Sequence, residues 1–248
     1  MLTSKEITFM TRKRTLRNGL IWCGASLSLL GFTAPVSAQP TVAGTPVPYI
    51  TCESWAASTP VVMDMNEHDM DSMELAEFDL AYIDMMIPHH ASIIALAEVS
   101  LPLLTDQRLI DMANAIIETQ VAEQNEMQLL RHEFYPNAPA FDATDHELLH
   151  NTFPSLTTWS LPMEEWANVM SADWQVTTFC ASDTPDLAFV QQTIPHHEMA
   201  ILASQDALTL AIHPEIKSIA ERVIPAQQSE IDLLKTIEAE LTSATPAA

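Results

Sequence analysis

Residues 79–131 of this 248-residue chain recur without a gap at 186–238. A shift of 107 superposes Asp79-Leu-Ala on Asp186-Leu-Ala, Ile87-Pro-His-His90 on Ile194-Pro-His-His197, and Ala113 on Ala220. It also superposes Ile117 on Ile224, Gln120 on Gln227 and Glu123 on Glu230. A tandem repeat constrains the fold more than any local preference, because two copies of one unit must each find the same partner surface. The chain has four glycines, and its stretches of Ala, Leu, Ile, Met, Glu and Gln favour helix. Each copy reads as two helices joined by a short loop: Met73 to Leu101 and Arg108 to Phe134, then 183–211 and a last helix to Leu241. Two hairpins of one design supply four helices. The expected fold is all-α, a ferritin-like four-helix bundle with pseudo-two-fold symmetry.

The first helix carries an apolar seam at Leu80, Ile83, Ile87, Ile94, Ala97 and Leu101, spaced alternately by three and four, and His90 occupies one of its positions. His197 does the same in the second copy, among Leu187, Val190, Ile194 and Ile201. The partner helices place Gln120 and Glu123, and Gln227 and Glu230, on their own seams. His89 and His90 lie about fifteen residues before the loop and Gln120 about fifteen after it, so an antiparallel hairpin brings them level. Four histidines, two glutamines and two glutamates are therefore expected in one polar layer. Such a layer is costly to bury unless its groups are hydrogen-bonded to each other or bind a cation. A His–Gln–Glu network that sets bundle register and a metal site both fit. Pro88 and Pro195 remove a helical hydrogen bond beside each histidine pair and suit either.

Sulfur turns the reading toward metal. Met86 precedes His89 and His90 by three and four residues, and Met199 follows His196 by three, so each half offers one thioether on the face of its histidines. Methionine at helical spacing is usually core filler, but beside imidazole it suits Cu(I). The stretch "MDMNEHDMDSM" adds Met65, His68, Met70 and Met73 among acidic residues, where a packed core has no use for them. His146 and His150, spaced by four, are read as the surface of a linker helix.

The remaining organisation follows. Residues 1–38 read as a signal peptide: a basic start, an apolar run and a small-residue cleavage site at Val36-Ser37-Ala38. Residues 39–73 form a flexible Pro/Thr and Met/His-rich leader, 74–135 the first hairpin, 136–182 a linker with short helices, 183–241 the second hairpin and 242–248 a tail. Of the ten Lys and Arg and 33 Asp and Glu, five and one fall in the signal segment, so five basic residues face 32 acidic ones in the exported part. That charge excludes binding to nucleic acid phosphates and keeps the chain soluble. No stable membrane insertion is expected after cleavage. Cys52 and Cys180 then remain, and one intramolecular disulfide is the simplest use for them in an oxidising compartment.

On Met85-Met86-Ile-Pro-His-His90 with Gln120-x-x-Glu123, and on Ile194-Pro-His-His-Glu-Met199 with Gln227-x-x-Glu230, the sequence resembles the domain of unknown function 305 family. The resemblance implies a ferritin-like helical bundle of the kind found in exported CopM-type copper-binding proteins. It also implies metal ligation at Met86, His89, His90, His196, His197 and Met199. Ser92 and Thr193 stand where a family methionine is expected. Taken together, copper as Cu(I), bound for sequestration or tolerance, is the expected ligand, and the pattern speaks for binding over catalysis. A ferritin-like iron or manganese oxidase and a purely structural bundle are the alternatives.

Overall fold

The computed structural model describes residues 50–57 and 78–244. Residues 1–38, expected to be a signal peptide, and Met65, His68, Met70 and Met73 of the expected leader lie outside the described residues. Among the described residues there are eight α-helices and no strand. Four are long: α2 (Phe78–Ser100), α3 (Gln107–Phe134), α7 (Pro185–Leu210) and α8 (Pro214–Ala244). The others are short: α1 (Cys52–Ala57), α4 (His146–Thr152), α5 (Trp166–Met170) and α6 (Ala172–Cys180).

Local chemistry explains the boundaries. Asp106 caps α3 by accepting from the Arg108 amide at 2.9 Å, and α7 and α8 begin at Pro185 and Pro214, where the missing N–H costs nothing. The linker differs from expectation in one detail. The sequence suggests Thr144 and Glu147 as a capping box, but Asp145 caps α4, accepting from the Glu147 and Leu148 amides at 3.0 Å each. Thr144 bonds instead to Asp142.

α2 pairs with α3 and α7 with α8, and α2 packs on α7 across the pseudo-two-fold axis. α3 and α8 run antiparallel and are tied near both ends, by Arg108 to Glu240 at 2.7 Å and Arg222 to Glu126 at 2.5 Å. A single apolar stripe is expected on α2, yet Tyr82, Met85, Met86, Ile93, Leu96 and Val99 are all fully buried. The reason is α6, which packs on α2 from the linker and covers a face that an isolated four-helix bundle would leave wet. α2 is long and apolar enough to cross a membrane, but its most apolar window is 72% buried in this fold.

Asp79 and Asp186 open α2 and α7, and Asp186 is expected to act on the dipole of its own helix. Both carboxylates work across the bundle instead. Asp79 accepts from the amides of Ile212 (3.0 Å) and His213 (2.8 Å), in the turn before α8, and lies 2.6 Å from His213 Nδ1. Asp186 accepts from the amides of Thr105 (2.8 Å) and Asp106 (3.2 Å), in the turn before α3. Under the shift of 107, Thr105 and Asp106 are the counterparts of Ile212 and His213, so each hairpin latches the turn of the other.

A disulfide joins Cys52 to Cys180, as expected, across 128 residues. α1 has no buried residue; the bridge and the Trp55 indole bond to Asp173 (3.4 Å) tie it to α6, and Cys52 and Trp55 also pack against the apolar core. Closing so long a loop restricts the unfolded chain, and reduction should lower the unfolding free energy by about 2–5 kcal/mol. Urea titrations with and without reductant measure this; coincident midpoints would show that the bridge carries no stability.

Candidate functional site

The core is split in two. One apolar cluster takes Leu80 to Met86 of α2, Met127 and Leu130 of α3, Met199 to Ala207 of α7 and Ile216 to Val223 of α8. The other takes Ile93 to Val99 of α2, Leu109 to Ile116 of α3, Phe189 and Val190 of α7, and Leu234 and Ile237 of α8. The residues left between them are His89 and His90, Gln120 and Glu123, His196 and His197, and Gln227 and Glu230. The polar layer expected from the seams thus crosses the middle of the bundle. All four histidines are fully buried, with Gln120 and Gln227 at 2% and 3% exposure. Only the Glu123 and Glu230 side chains reach solvent, at 17% and 23%. Pro88 and Pro195 stand inside α2 and α7 beside the histidines, and Pro225 inside α8, two residues before Gln227, adds a third interruption that the sequence reading did not use.

His89 and His196 meet where α2 and α7 cross at their midpoints. His89 Nε2 lies 3.0 Å from the His196 carbonyl and His196 Nε2 lies 2.8 Å from the His89 carbonyl. Their rings are 3.6 Å apart, centroid to centroid. A carbonyl only accepts, so both Nε2 atoms carry hydrogen. Ser92 completes the crossing: its hydroxyl donates to the His89 carbonyl (2.7 Å) and stands 3.0 Å from His196 Nε2. The linker reaches in as well, with Ser92 Oγ 3.3 Å from the Val169 carbonyl. Neither Ser92 nor the linker was singled out by sequence for this role; a serine on an otherwise apolar helix face was the available signal.

The outer histidines face carboxylates. His90 Nε2 bonds to Glu123 Oε2 at 3.0 Å, so Glu123, one turn beyond Gln120, is the partner. His197 Nε2 lies 2.7 Å from Glu230 Oε2, without the alignment of a hydrogen bond. The four rings form a row, His90–His89–His196–His197, with centroid steps of 6.0, 3.6 and 6.0 Å.

Burial holds His89 and His196 neutral, far below the usual histidine pKa, and the neighbouring imidazoles push them further down against the opposing pull of the carbonyl bonds. With Nε2 protonated and the ring neutral, Nδ1 presents a bare lone pair. Nδ1 of all four histidines is buried with no hydrogen-bond partner. So are the Gln120 and Gln227 carbonyl oxygens and the Thr193 hydroxyl, in the position equivalent to Met86. Met86 and Met199 are fully buried members of the same apolar cluster. Among the described residues, no group of three His, Cys, Asp or Glu side chains is already set around a point where it could hold a metal ion. The layer therefore offers unpaired donor atoms, with the inner two rings turned toward each other.

The family model for Domain of unknown function (DUF305) matches residues 52–131 and again residues 161–238. Both matches start 22 residues ahead of the hairpins read from the sequence, at 52 against 74 and at 161 against 183. No curated protein matches the chain. Among solved structures, CopM in its Cu(II)-bound form is similar with a TM-score of 0.52 and 24% identity, over 66% of this chain and 97% of CopM. A DUF305 protein from Streptomyces coelicolor has a TM-score of 0.53 and 16% identity, over 66% of this chain and 93% of its own. A DUF305 fragment from Deinococcus radiodurans has 0.51 and 16%, over 66% and 97%. These likenesses are of fold. With the family model matched twice over more than half its length, the chain belongs to the DUF305 family and carries the domain in tandem.

Proposed function

We propose that the protein is an exported metal-binding protein that sequesters copper, as Cu(I), in the layer between its two apolar clusters. The observation that carries this reading is the set of four buried imidazoles whose Nδ1 atoms have no partner. Metal-binding histidines characteristically give their other ring N–H to a carbonyl or carboxylate, which fixes tautomer and ring direction. His89, His196 and His90 do so here. On this reading His89, His90, His196 and His197 are ligands through Nδ1, and Glu123 and Glu230 orient the outer pair. The Gln120 and Gln227 carbonyls stand in the same layer as auxiliary donors. Met86 and Met199 supply thioethers, the feature that selects Cu(I) over harder ions. An iron or manganese site of the oxidase type draws on several carboxylates, whereas the two here each stand against a histidine.

CopM, whose structure contains Cu(II), supports copper as the ion. The disulfide and the signal-like segment 1–38 support export to an oxidising compartment. Met65, His68, Met70 and Met73 are assigned to first capture, with transfer to the layer by ligand exchange. No catalytic residue is assigned.

Anaerobic Cu(I) competition against a chelator, with metal analysis of the purified protein, tests the site. The pair His89→Leu/His196→Leu keeps the core volume and removes two ligands. It should weaken Cu(I) binding by about tenfold to a hundredfold or more, the scale of losses at such sites. Undiminished binding would leave the layer a structural network. Met86→Leu/Met199→Leu should weaken Cu(I) while leaving Zn(II) binding unchanged.

A further inference from the structure

We infer that copper is held on one side of the layer only, with Met127 as a third thioether beside Met86 and Met199, so that the bundle binds one Cu(I) ion and not one in each half. This deepens the reading that the layer binds copper and rests on it. His90 touches Glu123 between antiparallel α2 and α3. Met86 is four residues before His90, and Met127 is four after Glu123. One turn along the same two faces, these methionines therefore come level. Met199 joins them from α7. α2 and α7 also run antiparallel, since His89 meets His196 and Tyr82 meets Ser204, at 2.9 Å. Met86 is three residues before His89 and Met199 three after His196, so both lie on the Tyr82–Ser204 side of the crossing. All three methionines are fully buried, and all three belong to one apolar cluster.

The equivalent positions on the other side carry no sulfur. The shift of 107 puts Thr193 at the place of Met86, Leu234 at that of Met127, and Ser92 at that of Met199. Thr193 precedes His196 by three residues and Ser92 follows His89 by three, so these two share the far side of the crossing. Leu234, four residues after Glu230, comes level with Thr193 as Met127 does with Met86. Leu234 belongs to the second apolar cluster. The Ser92 hydroxyl is spent on the His89 carbonyl at 2.7 Å, and the Thr193 hydroxyl is a buried hard oxygen without a partner. The crossing thus collects two methionines of the first copy and one of the second on a single side. Core filling alone asks for no such sorting, since leucine fills the place of Met127 in the other copy. Thioethers beside imidazole nitrogens favour Cu(I), and hydroxyl oxygens do not.

Methyl NMR of the whole chain, labelled at the methionine ε-carbon and titrated anaerobically with Cu(I), reads each thioether separately. The Met86, Met127 and Met199 methyls should shift together. Met85, buried in the same cluster, and Met112, in the other, should stay in place. Metal analysis should find one more Cu(I) ion on the parent than on His89→Leu/His196→Leu, which keeps only the leader's share. Met127→Leu should weaken Cu(I) binding about tenfold or more in competition with a chelator. The reverse swap at the equivalent place, Leu234→Met, should leave the affinity unchanged, and both swaps keep core volume. The one-sided site is overturned if the Met127 methyl stays in place while Met86 moves, or if Met127→Leu binds as the parent does. Two more ions on the parent than on the double leucine variant would also overturn it. If the parent holds no more Cu(I) than that variant, the layer itself fails as the site and this inference falls with it.

Discussion

Acidification below pH 6.5 should cost the metal-free protein on the order of 3 kcal/mol of unfolding free energy per pH unit. The source is the pair His89 and His196, whose pKa values in the fold lie well below the ordinary histidine value because burial denies them charge. In the unfolded chain the same groups take up protons near pH 6.5. Above that pH both states hold neutral imidazoles and the stability is fully present. Below it the unfolded chain binds two protons that the folded chain refuses, so stability falls with pH until the depressed folded pKa values are reached. Each group contributes about 1.4 kcal/mol per unit within that window. Ordinary carboxylates titrate near pH 4, so the slope between pH 6.5 and 5 isolates the histidines. Urea midpoints measured with a strong chelator present give the slope, and His89→Leu/His196→Leu should remove most of it. Equal slopes in parent and variant would mean that these rings take up protons in the fold. The leucine pair should also raise stability at neutral pH, since apolar groups replace polar ones that the core only partly satisfies. A variant that is more stable and no longer binds Cu(I) would show that the layer is kept for its ligands.

The second large effect is expected at Asp79. Its carboxylate is 1% exposed and accepts from two backbone amides while touching His213 Nδ1. Asp79→Ala orphans both amides in the turn before α8 and should cost about 3–5 kcal/mol. His213, which looks incidental in the sequence, is held between this carboxylate and Phe134, whose ring stacks on it at 4.0 Å. Loss of Asp79 therefore also loosens the end of α3. Asp186→Ala removes the equivalent latch, but its contacts lie nearer solvent, where water replaces the lost acceptor. That variant should cost about 1–2 kcal/mol. Thermal and urea unfolding at neutral pH compare the two. Equal costs would show that burial of Asp79 adds nothing to the latch.

Much of this architecture is legible in the chain because it is periodic. The 107-residue repeat implies two hairpins, and the alternating three-and-four spacing places His90, His197, Gln120 and Glu123 on seams before any contact is known. The level of the layer follows from counting residues to the loop, since helical rise is constant. The disulfide is legible because only two cysteines follow the signal-like segment. What periodicity does not carry is the angle and depth at which two hairpins cross. That crossing decides that His89 and His196 exchange carbonyl bonds, that His90 takes Glu123 as its partner, and that Ser92 joins them. It also decides that Asp79 and Asp186 serve the turns of the opposite hairpin. The wrapping of α2 by α6 belongs with these, because a linker of short helices has no seam from which its docking face can be read.

Composition and spacing by themselves thus determined the helical class, the duplication and the presence of a histidine-rich layer in the core. Only the tertiary structure decided that His89, His90 and His196 engage Nε2 and leave Nδ1 without a hydrogen-bond partner. The physical reason is that hydrogen-bond direction depends on where a neighbouring helix puts its carbonyls and carboxylates, and those neighbours lie 33 to 107 residues away along the chain.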